Sequence, residues 1–120
     1  MHIRPYEKLV AWTESHRLCL SVYALIKRLP SDERFRLADQ ISRAAYSVPM
    51  NIAEGSCKDS AKARRNFYEI AAASLEELHY QMRLCLDLGY LDKEGFQLMD
   101  GHIQRTSYLL LKLRQSLRTP

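Results

Sequence analysis

The chain has 120 residues, 47% of them hydrophobic and 27% charged, with a formal net charge of +4. This length predicts one domain, residues 1–120, whose core needs no metal or disulfide staple. The composition excludes an intrinsically disordered chain. Four glycines and four prolines are few enough to favour long helices over many short strands, so we predict an all-α fold.

No apolar run approaches the roughly 20 residues of a membrane span, and the first residues lack the apolar segment of a signal peptide. The three cysteines are odd in number and widely spaced, which favours reduced thiols over a disulfide framework. We therefore expect a cytoplasmic protein without membrane contacts.

The first helix is predicted near residues 7–29, since two apolar stripes with helical spacing run along it. One stripe contains Trp12, His16, Cys19, Tyr23 and Ile26, and the other contains Leu18, Val22, Leu25 and Leu29. Two stripes make an apolar face that is wider than one neighbouring helix needs. Together with Leu109 and Leu111 near the end of the chain, this surplus predicts an interface between subunits.

The second helix is predicted near residues 33–55, with Ser31 or Asp32 as its N-terminal cap. Pro49 lies inside it, and an interior proline removes one backbone hydrogen bond and clashes with a carbonyl four residues earlier. We expect a kink at Pro49, and two separate helices are the alternative.

The third and fourth helices are predicted near residues 60–88 and 93–117. Ser60 and Asp92 are the expected N-terminal caps, and Gly89 suits the left-handed end of the third helix. Short connections force successive helices to run antiparallel. The predicted architecture is an up-down-up-down four-helix bundle.

The sequence offers little that could be catalytic. Glu76 and His79 have the Glu-x-x-His spacing of di-iron bundles, but such sites need a second copy of that motif and two further carboxylates. His16 and Cys19 share a helix face without an evident third group or oxyanion site. We predict no catalytic site, no metal and no cofactor, and expect that the protein is not an enzyme.

Basic residues gather in two places and are candidate phosphate contacts. One cluster consists of Lys58, Lys62, Arg64 and Arg65, and the other of Arg105, Lys112, Arg114 and Arg118. The alternative for the first is a solvated helix end with an Arg65–Glu69 pair. The alternative for the second is the ordinary preference of helix C-termini for cations.

Residues 43–55 read RAAYSVPMNIAEG. This segment resembles a signature of the bacterial four-helix-bundle family named for proteins encoded in intervening sequences of 23S ribosomal RNA genes. The chain is also similar to the accessory proteins of diversity-generating retroelements. Weaker matches are Tyr6-Glu7-Lys8-Leu9 with Trp12, Ala71 with Ser74, Glu77-Leu78, and Leu88-Gly89-Tyr90-Leu91. The chain departs from the family at Arg64, where members tend to carry an aromatic residue.

The resemblance implies a left-handed bundle that assembles as a ring-like homopentamer, with no known catalytic activity and no established cofactor. It suggests RNA or DNA as a partner, and in the retroelement branch a reverse transcriptase and its RNA. The motif residues that it marks are Arg43, Ser47, Pro49, Asn51, Glu54 and Gly55.

We expect structural roles for two of these motif residues. Asn51 can satisfy a carbonyl that Pro49 frees. Glu54, which opposes the dipole at its helix end, needs a cationic partner such as one across a subunit contact.

Two hypotheses of function follow. The first is a non-catalytic oligomeric accessory protein that binds nucleic acid or a ribonucleoprotein through its basic clusters. The alternative is a structural or protein-interaction module without affinity for nucleic acid.

Overall fold

Four long α-helices make up most of the computed structural model, which describes residues 2–117. They are α1 (Val10–Ile26), α2 (Leu37–Ser56), α3 (Ala61–Asp87) and α4 (Lys93–Gln115). Two short 3-10 helices, Pro5–Lys8 and Ser31–Glu33, precede α1 and α2. Residues 2–117 contain no strand, which confirms the all-α class.

The first predicted helix is shorter than expected at both ends. Leu9 has an extended backbone, with φ −83° and ψ 127°, so it separates the 3-10 helix from α1. The helix ends at Ile26, and two turn hydrogen bonds carry the chain on to Leu29. The residue before a proline disfavours the helical region, so the chain leaves the helix ahead of Pro30.

The predicted start of the second helix is wrong, because neither Ser31 nor Asp32 caps it. α2 begins after Arg36, which has φ −121° and ψ −97°, and no side chain caps this end. The cause is a tertiary contact of the buried Glu33, whose carboxylate accepts a hydrogen bond of 2.9 Å from the Tyr90 hydroxyl. This contact holds Glu33 in a separate turn.

α2 runs without a break from Leu37 to Ser56 and contains Pro49 in its interior. The alternative of two separate helices is therefore wrong. A kink at Pro49 stays a prediction.

The sequence located the ends of α3 and α4 well. Ser60 Oγ accepts a hydrogen bond of 3.1 Å from the Ala63 amide, and Asp92 Oδ1 accepts one of 2.7 Å from the Gly95 amide. Gly89 has φ +81°, a conformation that only glycine adopts without strain. All three predictions are confirmed.

Each helix packs on two others: α2 lies against α1 and α3, and α4 lies against α3 and α1. The core between them includes the fully buried Val22, Ile41, Ile52, Leu78 and Leu110. None of the helices in residues 2–117 is long and apolar enough to cross a membrane.

Candidate nucleic-acid interface

Two cations of the first basic cluster make internal contacts at the connection from α2 to α3. Arg64 Nε donates a hydrogen bond of 2.7 Å to the Lys58 carbonyl. Lys58 Nζ in turn lies 5.2 Å from the centre of the Phe67 ring. Arg64 stands where the family tends to have an aromatic residue. Its hydrogen bond links the start of α3 to the connection that precedes it.

The other two cations of this cluster, Lys62 and Arg65, make no ion pair with any residue between 2 and 117. The alternative pair of Arg65 with Glu69 therefore does not form. Lys62 is exposed and Arg65 is half-buried, one helical turn further on. Both are available for contact with an anion.

Arg105 on α4 is exposed, but its guanidinium pairs with a buried carboxylate of α1. Its Nε lies 3.4 Å from Oε1 of Glu14 on α1, whose side chain is only 11% exposed. The same carboxylate lies 3.6 Å from Arg17 Nη1 and 3.5 Å from His102 Nε2. A buried charge is costly unless it is paired, so Arg105 stabilises the α1–α4 contact.

The remaining cations of the second cluster do not form one row. Lys112 is exposed, and its Nζ lies 5.5 Å from the centre of the Tyr108 ring. Arg114 is half-buried and borders a groove between α3 and α4, beside Ala72 and Ala73. Arg118 lies outside the described residues. Among the described candidates, Arg105 alone makes an ion pair within residues 2–117, whereas Lys58, Lys62, Arg64, Arg65, Lys112 and Arg114 make none.

Part of the motif at residues 43–55 forms a polar contact between α2 and α3. Asn51 Nδ2 donates to the Ser47 carbonyl at 2.7 Å and lies 3.0 Å from Ser47 Oγ. Ser74 Oγ on α3 donates to the same Ser47 Oγ at 2.9 Å. The amide of Asn51 thus reaches the carbonyl of Ser47 and not that of Ala45, whose helical donor Pro49 lacks.

Gly55 allows a close approach at the end of α2. A Cβ at this position would lie 2.8 Å from Tyr68 Cε1 and 2.9 Å from Phe67 Cβ, closer than real contacts allow. The neighbouring Ser56 Oγ forms a hydrogen bond of 2.9 Å with the Tyr68 hydroxyl. Ser47, Asn51 and Gly55 repeat every four residues and define what we call the α2–α3 seam.

Two further motif residues are exposed. Arg43 Nη2 lies 3.3 Å from Asp39 Oδ2 on the same helix. Glu54 borders an apolar groove together with Tyr6 and Trp12. Glu54 makes no ion pair within residues 2–117, so the cationic partner expected for it is not among the described residues.

The candidate metal and nucleophile residues have other partners. His79 Nε2 lies 2.8 Å from Asp100 Oδ1, and His16 stacks on the Trp12 ring with a centroid distance of 4.9 Å. No group of three or more His, Cys, Asp or Glu side chains in residues 2–117 is placed to hold a metal ion. Burial raises the pKa of the Cys19 thiol, which makes it a poor nucleophile at neutral pH.

Sequence reasoning missed two buried carboxylates. Glu14 has a sequence signal, because it occupies an apolar stripe between Ala11 and Leu18. Glu33 has none, since its partner Tyr90 is far away in sequence. The hydrogen bond to Glu33 raises the pKa of the Tyr90 hydroxyl, because only the protonated hydroxyl can donate it.

Residues 2–117 thus define a small four-helix protein that offers surface cations and no assembled metal cluster. The model of a protein family described as 23S rRNA-intervening sequence protein matches residues 7–112. The chain belongs to this family, as its sequence resemblance indicated.

A solved structure has the same fold. It is a protein of unknown function from the S23 ribosomal protein family of Bacteroides thetaiotaomicron, with a TM-score of 0.81. The two chains are 23% identical, and the match covers 88% of this chain and 98% of the other. At this identity the likeness shows the fold alone. A search of curated proteins gives no match.

Proposed function

We propose that this protein is a non-catalytic, oligomeric accessory protein of the cytoplasm that binds nucleic acid or a ribonucleoprotein. The observation that carries the proposal is the division of its cations. Arg17, Arg36, Arg43, Arg83 and Arg105 pair with carboxylates, whereas the other lysines and arginines within residues 2–117, among them Lys62, Arg65, Lys112 and Arg114, make no ion pair there. Unneutralised cations on a surface attract phosphate.

The direction of the helices supports a shared location for these cations. We propose a left-handed bundle in up-down-up-down order, with α2 kinked at Pro49. His79 of α3 contacts Asp100, whereas Ala72 shares a groove with Leu111 and Arg114. As residue numbers increase along α4, the numbers of the α3 residues beside them decrease, which supports an antiparallel arrangement of the two helices. This order brings the start of α3, with Lys62 and Arg65, to the same end of the bundle as the end of α4.

The family to which the chain belongs also supports this function. The family description names 23S rRNA, and the structural neighbour is assigned to a ribosomal protein family. Both names refer to the ribosome or its RNA, which is the reason that we propose RNA. We therefore rank RNA above DNA as the partner, with a reverse transcriptase or another RNA-bound protein as a further partner.

Two apolar faces support assembly into an oligomer. On the first face, between α1 and α2, Leu20 and Met50 are 58% and 46% exposed. On the second face, between α3 and α4, Leu111 is 46% exposed beside Ala72. Leu109, which was expected at an interface, packs against the core instead. Contact between two unlike faces is heterologous and forms a ring when the rotation between subunits closes; we propose a closed ring, for which the family resemblance selects five subunits.

Sedimentation equilibrium tests the assembly. We expect about five times 14.0 kDa for the wild type and a smaller species for Met50→Glu, because a charge in an apolar interface is left unpaired. The control is Leu98→Glu, which changes a residue that is 71% exposed and lies outside both faces. A monomeric wild type would contradict the oligomer, and a dimer or trimer would contradict only the number.

Binding tests the function itself. A labelled RNA and a DNA duplex are titrated with the protein at low and at physiological salt. We expect phosphate-dominated binding with little sequence preference, which weakens steeply as salt rises. Wild-type protein that binds neither probe at low salt would contradict the proposal.

A second function has its own support in the same apolar faces. If they receive another protein instead of a copy of this chain, the protein is a structural or interaction module without affinity for nucleic acid. A monomeric wild type that binds neither probe is the result that favours this alternative.

A further inference from the structure

The connection between α1 and α2 carries an aromatic side chain that the fold does not use. Phe35 lies between the 3-10 helix Ser31–Glu33 and α2 and is 84% exposed, more than any other large hydrophobic residue described. A single exposed apolar side chain needs no functional explanation. Its surroundings decide whether it has one.

One cation lies over the Phe35 ring, and a second borders a groove next to this connection. The Arg34 guanidinium lies 5.4 Å from the centre of the Phe35 ring, and Arg34 and Lys27 border a groove of about 490 Å³. Tyr23 and Ser31, which carry hydroxyl groups, line the same groove, as does Asp39, whose carboxylate pairs with Arg43. The arrangement combines an open aromatic surface, positive charge and hydroxyl groups.

The acidic residues of this region leave the charge largely uncompensated. Residues 27–43 contain five basic and three acidic side chains, a net charge of +2. Glu33 is buried and bound by Tyr90 and Arg36, and Asp39 pairs with Arg43.

Three cations of this region, Lys27, Arg28 and Arg34, make no ion pair within residues 2–117. Asp32 is exposed and is the one acidic residue here without an ion pair in the described part of the chain. Positive charge therefore predominates in the connection that carries Phe35.

We infer that Phe35 stacks on an unpaired nucleobase while Arg34 and Lys27 contact the neighbouring phosphates, so that this connection is a single-strand binding site. The inference rests on the proposed function and specifies the form of nucleic acid. Stacking on an aromatic side chain is open to every base, whereas the bases of a duplex are already stacked on each other. The site should therefore prefer single strands and show little sequence preference.

This site is distinct from the cations at the start of α3. The hydrogen bond between Glu33 and Tyr90 places the connection beside the residues that follow the end of α3. α3 has 27 residues and is about 40 Å long, and Lys62 lies at its other end. The two sites can therefore be changed independently, and one long strand can contact both.

The test measures the affinity of labelled oligouridylate, long enough to span the bundle, for the oligomeric protein. We expect Phe35→Ala and Phe35→Leu to weaken binding at least about fivefold, because both remove the aromatic face. Phe35→Trp should bind as well as the wild type or better. The control is Tyr80→Ala, which removes an aromatic residue that is 62% exposed on α3, and it should leave affinity unchanged.

Two charge variants complete the test. Lys27→Ala should reduce the salt dependence of binding, and Asp32→Asn should strengthen binding, since it removes the unpaired acid. The same oligouridylate annealed to oligoadenylate should bind less tightly, and Phe35→Ala should change that affinity little.

The possible failures can be told apart. Wild-type binding that Phe35→Ala leaves unchanged would overturn the stacking site and leave the proposed function standing. Phe35→Leu that binds like the wild type would show an apolar contact without stacking, and would also overturn the site. A lower mass of Phe35→Ala in sedimentation would assign Phe35 to an interface between copies and would likewise overturn the site. A wild type that does not bind would end both proposals together.

Discussion

The α2–α3 seam and the surface that carries Lys62 and Arg65 lie next to each other, yet they are built in different ways. In the seam, Ser47 and Asn51 form hydrogen bonds, and the small Gly55 lets α3 approach closely. Each of the three therefore has a defined neighbour on α2 or α3. Lys62 and Arg65 have no ion partner within residues 2–117. Changes in the seam should therefore alter stability, and changes of these cations should alter binding.

The largest loss of stability is expected in the core to which the seam belongs. Leu110 is 1% exposed, so Leu110→Ala should lower the free energy of unfolding by about 2–5 kcal/mol. The control is Leu98→Ala on the same helix, since Leu98 is 71% exposed and lies outside both apolar faces, and most surface substitutions change stability by about 0.5 kcal/mol or less. Chemical denaturation measures both, and equal losses would remove Leu110 from the core.

Gly55→Ala tests the close approach within the seam. The added Cβ would meet Tyr68 and Phe67 at less than 3.0 Å, so the helices must shift. We expect a net loss of about 1–3 kcal/mol despite the better helix propensity of alanine. A variant as stable as the wild type, or more stable, would show that α2 and α3 can move apart without loss of free energy of unfolding, and would contradict the prediction.

The hydroxyl contact between Ser47 and Ser74 should contribute less. Ser47→Ala leaves the buried Ser74 hydroxyl without its partner, at a cost of about 1 kcal/mol. Ser47→Ala combined with Ser74→Ala should cost less than the sum of the single changes, because no hydroxyl is left unpaired. A double-mutant cycle measures this coupling, and strict additivity would contradict a direct contact.

The parts of the fold that the sequence predicted well depend on residues close together in the chain. Ser60, Gly89 and Asp92 act on backbone groups at most a few residues away, so their roles follow from local rules. The start of α2 could not be predicted, because Glu33 is held by Tyr90, 57 residues later.

The same limit applies to the candidate site. Arg105 looked like a phosphate contact in the sequence, and only the packing of α4 on α1 shows that Glu14 neutralises it. Which cations remain unpaired is a property of the packed helices, so the sequence overestimated the basic clusters. Sequence reasoning also did not identify Phe35, because its exposure depends on the path of the backbone between α1 and α2.

The salt dependence of RNA affinity tests the central claim, that cations without an internal partner bind phosphate, most directly. Each lost phosphate contact lowers the slope of log affinity against log salt by about 0.7 for a single strand. Lys62→Ala with Arg65→Ala should therefore lower the slope by about 1.4 at nearly unchanged stability. Arg43→Ala with Arg83→Ala removes the same charge from paired cations and should leave the slope unchanged. Equal slopes for both double variants would contradict the account.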